Sequence, residues 1–439
     1  MKSSGSEVIF VLLQFSVENF RSYKKRAVLS LEASNDTAHS DNLIEDKGSR
    51  ILPTAVIFGA NAAGKSNIFF ALTAAILMVR NSNVMQQGQP INGIIPFLFD
   101  EESRSQPSSF EFVFTIHHVK YVYGFSATKE RVYTEYLYKY LSSRPTTLFE
   151  RGLRTGEEND YYIHRSLRKE LTEVIKRNTQ NKLFLATATA WNCEETAIPF
   201  SWFNQIDTYT SNYEQLLTQA GPLFAKDEQD EKHELKKFVC QLLHEADINI
   251  DDYDFHSKEI RKEEIIQHIP APISPVLSPL IGDKLQSWTV TMNHRIRKSG
   301  ENTTYALDRD LESKGTLGLL GLSPLLRAAF NSGHILCIDE FDTSLHPMLV
   351  LFLVGLFHNP DINKGHSQLI ISTHTSELLS TKIMRRDQIY FVEKDKNTGE
   401  SELYSLDEFP DRGQEDLRKA YLLGRYGAIP DIGDGELLW

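Results

Sequence analysis

Three cysteines, Cys193, Cys240 and Cys337, are all that 439 residues contain, and they lie far apart. They form no metal-ligand spacing, and so few unpaired thiols suit a reducing cytoplasm. Long apolar runs are missing as well. The N-terminal run Val8-Ile9-Phe10-Val11-Leu12-Leu13 is far shorter than the roughly 20 residues that span a bilayer. No small-residue cleavage site comes after it, so residues 8–20 read as a strand region rather than a signal peptide. The expectation is a soluble, cytoplasmic chain without membrane contact. Positive charge is in deficit too: 47 Lys and Arg against 59 Asp and Glu leave a net charge of −12. That balance argues against a bulk nucleic-acid coat, although not against a local basic groove. There is no internal repeat, no low-complexity tract and no sustained heptad pattern. What is there has the charged and hydrophobic fractions of a globular protein, at a length beyond one ordinary domain.

Against that plain background one stretch stands out: Gly59-Ala60-Asn61-Ala62-Ala63-Gly64-Lys65-Ser66. It matches the phosphate-binding pattern G-x-x-x-x-G-K-[ST] at every fixed position. An apolar run, Ala55-Val56-Ile57-Phe58, precedes it, and a helix-like stretch from Asn67 to Arg80 comes next. The chemistry needs that context. Glycine lets the backbone wrap phosphates without Cβ clashes. Backbone N–H groups of the loop and the helix start point at the anion. Lys65 would reach the outer phosphates, the Ser66 hydroxyl would ligate Mg²⁺, and Asn61, Ala62, Ala63 and Asn67 would line the bound ATP. A plain glycine-rich turn is the alternative, but a chance match in a chain this long is only about one or two in a hundred.

The first segment, residues 1–134, reads as short strands around that one helix. Phe15 to Phe20 alternates in polarity, as does Ser109 to Thr115, and aromatic-rich Lys120 to Ser126 pairs with the latter as a hairpin. Residues 135–284 change character. Charged stretches and the helical spacing of Leu235, Phe238, Val239, Leu242 and Leu243 predict a mostly helical insertion. Pro270-Ala271-Pro272 and Pro275 mark its irregular connector. Residues 285–439 return to strands: Trp288 to Asn293, paired with Thr303 to Leu307, then Ile335 to Ile338 and Gln368 to Ser372. A helix from Pro347 to Phe357 separates the last two, which implies parallel pairing with helices on both faces. Gln388 to Val392 and Ser401 to Leu406 flank Asn397-Thr398-Gly399, a hairpin signal.

Three further patterns bear on chemistry. Ile335-Leu336-Cys337-Ile338-Asp339-Glu340 is an apolar strand ending in two carboxylates, and such strand ends face the ligand crevice. Asp339 would hold Mg²⁺ and Glu340 would accept a proton from the attacking water. Ser313-Lys314-Gly315-Thr316 opens an apolar helix and offers an N-terminal anion site. Ile370-Ile371-Ser372-Thr373-His374 ends a strand in a histidine able to contact a terminal phosphate.

The order of phosphate loop, Ser-x-Gly-Thr, Asp-Glu strand and strand-end histidine resembles the ABC-type ATPase heads of the SMC, Rad and RecF kind. Phe15 to Tyr23 is similar to their first strand. Asp339-Glu340 succeeded by Leu345-His346-Pro347, with the tail Tyr421 to Pro430, resembles the compact bacterial AAA/ABC-like ATPases represented by RloA, the AbiL ATPase and the AriA subunit of PARIS anti-phage systems. The resemblance covers most of both ATPase halves and little of the insertion. It implies an α/β fold, an ABC-type P-loop ATPase with a mixed sheet core flanked by helices. It also implies that Ser313 and Gly315 cap the γ-phosphate from a second subunit, that His374 is the switch histidine, and that Asp342 lies beside the dimer seam. Lys314 stands where that class usually carries a small or polar residue, and Gln86, Gln87 and Gln89 lie in the region of its glutamine loop without a matching frame.

In activity, the resemblance implies an ATP- and Mg²⁺-dependent ATPase that forms a homodimer or higher even-numbered oligomer around sandwiched ATP. It would act as sensor and scaffold of an anti-phage system, controlling an effector such as a TOPRIM-type nuclease. A RecF-like DNA-repair ATPase and a non-hydrolysing ATP clamp are the alternatives. Nucleic acid could meet three basic clusters: Arg21, Lys24, Lys25 and Arg26; Arg295, Arg297 and Lys298; Lys382, Arg385 and Arg386. Pairing with the many acids is the simpler reading of each. The segment after His374, with Glu393, Asp395, Asp407 and Asp411, reads as a hairpin and helix closing the ATPase core rather than a second catalytic domain.

Overall fold

Strands with alternating polarity need one buried face, and strands apolar throughout need two. Both kinds occur here, in separate sheets. The computed structural model describes residues 9–154, 160–261, 284–298, 301–410 and 416–431. Val8, the proline connector at 270–275, Asp411 and the terminal Trp439 lie outside the described residues.

The first part of the chain supplies β1 (Phe10–Glu18), β2 (Ala27–Ser30), β3 (Ile44–Asp46), β4 (Ser49–Ile51) and β5 (Thr54–Gly59). Helix α1 (Lys65–Asn81) and the short α2 (Glu101–Ser105) come after them. Next are β6 (Ser108–Ile116), β7 (Val119–Ala127), β8 (Val132–Tyr140), β9 (Pro145–Arg151) and β10 (Tyr161–Ile163). Helices α3 (Arg168–Ile175), α4 (Phe184–Ala190) and α5 (Glu194–Trp202) lead to β11 (Ile206–Thr210). Then α6 (Tyr213–Glu228), α7 (Glu234–Glu245), β12 (Asp252–Arg261), β13 (Lys284–Lys298) and β14 (Glu301–Asp308) run to α8 (Lys314–Ser332). The last elements are β15 (Ile335–Asp339), α9 (Pro347–His358), β16 (Gln368–Ser372), β17 (Ile389–Lys394), β18 (Ser401–Ser405) and α10 (Leu417–Leu422).

Two compact units result. One comprises residues 1–209, 329–342 and 350–439; the other comprises 210–328 and 343–349. In the first unit a seven-stranded sheet runs β10-β9-β8-β7-β6-β1-β2, each neighbouring pair antiparallel. Its inward positions are aromatic: Phe110, Phe112 and Phe114 are buried, and Trp202 stacks on Phe114 at 4.4 Å between ring centroids. A six-stranded sheet runs β11-β15-β16-β5-β17-β18. Its β15-β16-β5-β17 stretch is parallel and β18 returns antiparallel. Every residue of β5, β15 and β16 is buried. The mixed sheets and flanking helices are those expected of an ABC-type P-loop ATPase.

The second unit holds α6, α7 and a three-stranded antiparallel sheet, β12-β13-β14. Phe224 stacks on Phe255 at 4.5 Å and Phe255 meets Trp288 at 5.2 Å. Gly221 is required there, because a Cβ would lie 2.6 Å from the Trp288 ring.

The expected boundaries at 134/135 and 284/285 do not coincide with these units. Position 134 falls inside β8, and Leu183, Phe184, Trp202 and Phe203 belong to the same core as Phe112 and Phe114. Residues 132–151 pair as strands although their Tyr, Lys and Glu content reads as a charged, separate region. Which neighbour a strand finds is a long-range choice that local composition does not carry.

Candidate functional site

The phosphate loop takes shape because β5 is a fully buried parallel strand that must stop where its flanking residues turn polar. Residues 60–64 turn the chain, and α1 begins at Lys65. Gly64 sits at the helix N-cap with φ +118°, a conformation that favours glycine, and no side chain caps this helix start. Gly59 is tied sterically: a Cβ there would lie 2.5 Å from the Val392 carbonyl of β17. Lys65 is buried, and its ammonium donates to the Gly59 carbonyl at 2.8 Å and the Ala60 carbonyl at 3.2 Å. Desolvation holds its pKa below the usual lysine value, opposed by the charges of Asp339, Glu340 and Asp342. Ser66 is half-buried, and Asn61 and Ala62 are exposed. Beside Asn61, Ala62 and Ala63 opens a cavity of about 1310 Å³, whose far walls include Asn397, Phe99, and Ala428 to Asp431.

Four residues that sequence reasoning had not singled out hold this machinery. Ser22 is buried, and its hydroxyl accepts the Asn67 amide at 2.7 Å. Tyr23 donates its phenol to the Gly64 carbonyl at 3.1 Å. Ser401 of β18 donates to the Ala63 carbonyl at 2.5 Å, and its own N–H reaches the Ser22 carbonyl at 2.7 Å. The C-terminal half of the loop is thus gripped from two sides. Asn67, expected to line the nucleotide, spends its amide on this brace. The only sequence cue was the position of Ser22 and Tyr23 in the segment similar to the first strand of ABC-type heads. Ser401 had none.

The fourth is Ser372, at the end of β16 between the phosphate-loop strand and the carboxylate strand. Its hydroxyl donates to Asp339 Oδ1 at 2.5 Å and accepts the Glu340 N–H at 2.7 Å. Glu340 adopts φ +54° and its side chain is exposed. A left-handed non-glycine residue costs backbone energy, and strain of that kind clusters at functional sites. His374 is exposed; burial of its surroundings and the Lys65 charge lower its pKa, against Asp342 and Glu340. Lys65, Asp339, Glu340, Asp342 and His374 are therefore electrostatic neighbours in one unit. Asp342 has a specific task here: its carboxylate accepts the His374 N–H at 2.9 Å and the Thr375 hydroxyl at 3.2 Å, which fixes the loop that presents the histidine. An aspartate carboxylate and a serine hydroxyl are hard oxygen donors, and Mg²⁺ is held by one or two such groups plus phosphate oxygens, so Asp339 and Ser66 fit that ion.

Ser313 and Gly315 lie in the other unit. The Ser313 hydroxyl accepts the Thr316 N–H at 3.1 Å, so it caps α8. A Cβ on Gly315 would lie 2.6 Å from the Ser344 carbonyl, so the turn requires glycine.

The basic clusters are mostly paired. Arg26 binds Glu111 at 2.6 Å, and Lys24 and Lys25 lie 3.6 and 3.4 Å from Glu400. Arg295 pairs with Asp251. Arg385 is buried against Asp387, and Arg386 donates to the Leu406 and Phe409 carbonyls. Arg385 and Arg386 are therefore structural. Segment 389–405 forms the expected hairpin; Asp395 accepts the N–H groups of Asn397 and Thr398 and shapes its turn. Among the described residues no helix is long and apolar enough to cross a membrane.

A phosphate loop on a buried parallel strand, an acidic strand end two positions away in the sheet, and a histidine between them define a P-loop ATPase of ABC-like fold. The chain belongs to the family described as AAA domain, putative AbiEii toxin, Type IV TA system, which matches residues 55–380. It is 26% identical over 196 residues to the Retron Vc95 probable ATPase of Vibrio cholerae serotype O1 biovar El Tor. That match takes in 40% of this chain and 36% of the relative, so the chain spans about a third of that protein's length. Among solved structures it is similar to the SMC head domain from Thermotoga maritima, at 14% identity and a TM-score of 0.38 over 90% of this chain and 98% of that one. The SmcHead bound to the C-winged helix domain of ScpA is similar at 13% identity and a TM-score of 0.42, over 94% of this chain and 99% of that one.

Proposed function

We propose that this chain binds ATP with Mg²⁺ at the loop 59–66, hydrolyses it, and closes the site with the 313–316 turn of a second copy. The observation that carries the reading is the convergence of Lys65, Asp339, Glu340 and His374 around one loop. Lys65 exchanges its carbonyl partners for phosphate oxygens. The nucleoside end occupies the cavity beside Asn61 to Ala63. Glu340, exposed and turned outward by its left-handed backbone, takes the proton of the attacking water. His374 stays neutral to lower pH than an ordinary histidine and donates an N–H to the terminal phosphate. Bound Mg²⁺, held by Asp339 and Ser66, would neutralise charge developing on the phosphates.

Two copies sharing ATP would make an even-numbered assembly whose contact depends on the γ-phosphate, a familiar switch. The description of the family as toxin–antitoxin-related and the name of the retron ATPase support a setting in anti-phage defence. There the ATPase would hold and release an effector, for which a TOPRIM-type nuclease is our candidate.

Glu340→Gln tests the reaction. Phosphate release should fall at least about a hundredfold while ATP is still bound, because general-base removal leaves the grip of the loop intact. Unchanged turnover in that variant would mean that the chain does not use Glu340, and no turnover in the parent would leave an ATP clamp.

A further inference from the structure

Residues 19–23 form a tight turn whose backbone is held in an unfavourable shape. Asn19 and Arg21 both have φ +50°. The Asn19 amide donates to the carbonyls of Ser103 and Gln106 at 2.8 and 2.9 Å, and its side-chain oxygen accepts the Phe97 N–H at 3.1 Å. Arg21 is fixed in turn by its N–H on the Ile95 carbonyl at 2.8 Å. So much local hydrogen bonding over-determines a conformation that non-glycine residues avoid. Its result is to lay the Arg21 guanidinium over the Phe70 ring, 4.2 Å from the centroid.

The Nε of Arg21 is buried and has no hydrogen-bond partner among the described residues. That atom is closed to solvent, so an acceptor entering from outside would pair with the other N–H groups of the guanidinium in a charge-assisted hydrogen bond. Arg21 borders a groove of about 400 Å³ along the outer side of α1. Phe70, Ala74, Leu77, Met78, Met85 and Ile91 supply the apolar lining. Phe70 is 45% exposed and Leu77 48% exposed, seven residues apart on one helix face. Arg21 carries the only formal charge among the lining residues, in a chain of net charge −12. Thr73, Asn81, Gln89 and Asn92 add neutral hydrogen-bonding groups.

We infer that this groove docks a short segment of a partner protein in which a carboxylate stands beside apolar side chains. The carboxylate would pair with Arg21, the apolar residues would cover Phe70 and Leu77, and the amide and hydroxyl groups suit a peptide backbone. Helix-face grooves with a charged anchor recognise peptides in this way. The site is independent of nucleotide chemistry, yet Ser22, which braces the phosphate loop, is the very next residue.

The test uses the full chain and an array of immobilised pentapeptides combining Asp or Glu with Leu, Phe or Met. Matched peptides carry Asn or Gln in place of the acid. Retention of the acidic–apolar set is expected, at least about tenfold weaker for the amide set and for Arg21→Gln, the scale of one charge-assisted hydrogen bond. Leu77→Glu, at a position 48% exposed on that helix face, should abolish retention as well. Equal retention of acidic and amide peptides, no effect of Arg21→Gln, or no retention by the parent chain would each overturn the inference. So would a change of oligomeric state on Leu77→Glu, which would make a second copy the occupant.

Discussion

Two helix starts in this protein look alike in sequence and differ in what they can do. Gly64-Lys65-Ser66 opens α1 and Ser313-Lys314-Gly315 opens α8, each with serine, lysine and glycine before an apolar helix. At α1 no side chain caps the helix, and the glycine at its N-cap brings backbone N–H groups, a buried lysine and three carboxylates together. At α8 the Ser313 hydroxyl already serves Thr316, and glycine is needed for the approach of the Ser344 carbonyl. The first start is open for an anion from its own unit. The second already spends its serine hydroxyl on its own helix, and in the proposed function it meets a nucleotide held by another copy. A helix N-terminus becomes a site through what surrounds it, not through its own residues.

The largest expected effect is at the open start. Lys65→Ala should weaken ATP binding at least about a hundredfold by calorimetry, the cost of removing one member of a buried charge-assisted contact. The comparison breaks if affinity is retained. Next is the strand that feeds this helix. Thr54 of β5 hydrogen-bonds the buried His358 at 2.8 Å, and Gln388 reaches the same ring nitrogen at 3.1 Å. Burial pushes the His358 pKa down to about 4 from an ordinary 6.5. The unfolded chain therefore binds this proton more readily, and stability falls as pH drops from about 6.5 towards 4, by on the order of 3 kcal/mol. Urea unfolding across that window should show the slope, and His358→Gln should flatten it.

Smaller effects belong to the α8 start. Gly315→Ala forces a Cβ to within 2.6 Å of a backbone carbonyl and should lower stability by about 1–3 kcal/mol, read from the thermal midpoint. Ser313→Ala removes the cap and should cost about 1 kcal/mol. If Ser313→Ala also leaves nucleotide-induced dimerisation intact, as monitored by light scattering, the proposed trans contact fails and α8 is only a capped helix.

Much of the candidate site was legible in the sequence. Gly59 to Ser66, Asp339, Glu340 and His374 are marked by local patterns: an apolar run that ends in the residue the chemistry needs. Ser22, Tyr23, Ser372 and Ser401 were not, because a serine that braces a loop has no signature of its own and is defined by a partner tens to hundreds of residues away. The same reason explains why the expected boundaries at 134/135 and 284/285 do not coincide with the compact units. Residues 135–209 carry enough charge to read as an insertion, yet β8, β9 and Trp202 complete the sheet and core begun by β1 and β6. Arg385 and Arg386 show the converse, an apparent basic surface patch that is folded inward onto Asp387 and backbone carbonyls.

From its sequence alone this protein was bound to make a glycine-bracketed anion loop between a buried strand and a helix, and a carboxylate pair at the end of another strand, because short-range backbone sterics and polarity act over a few residues. Only the tertiary structure decided that the two strands flank a third, that Ser372 ties the Asp339 carboxylate to the Glu340 backbone N–H, and that the turn at residues 19–23 grips the loop through Tyr23 while it lays Arg21 over Phe70. Those choices depend on which distant surfaces bury each other, and packing settles that for the whole chain at once.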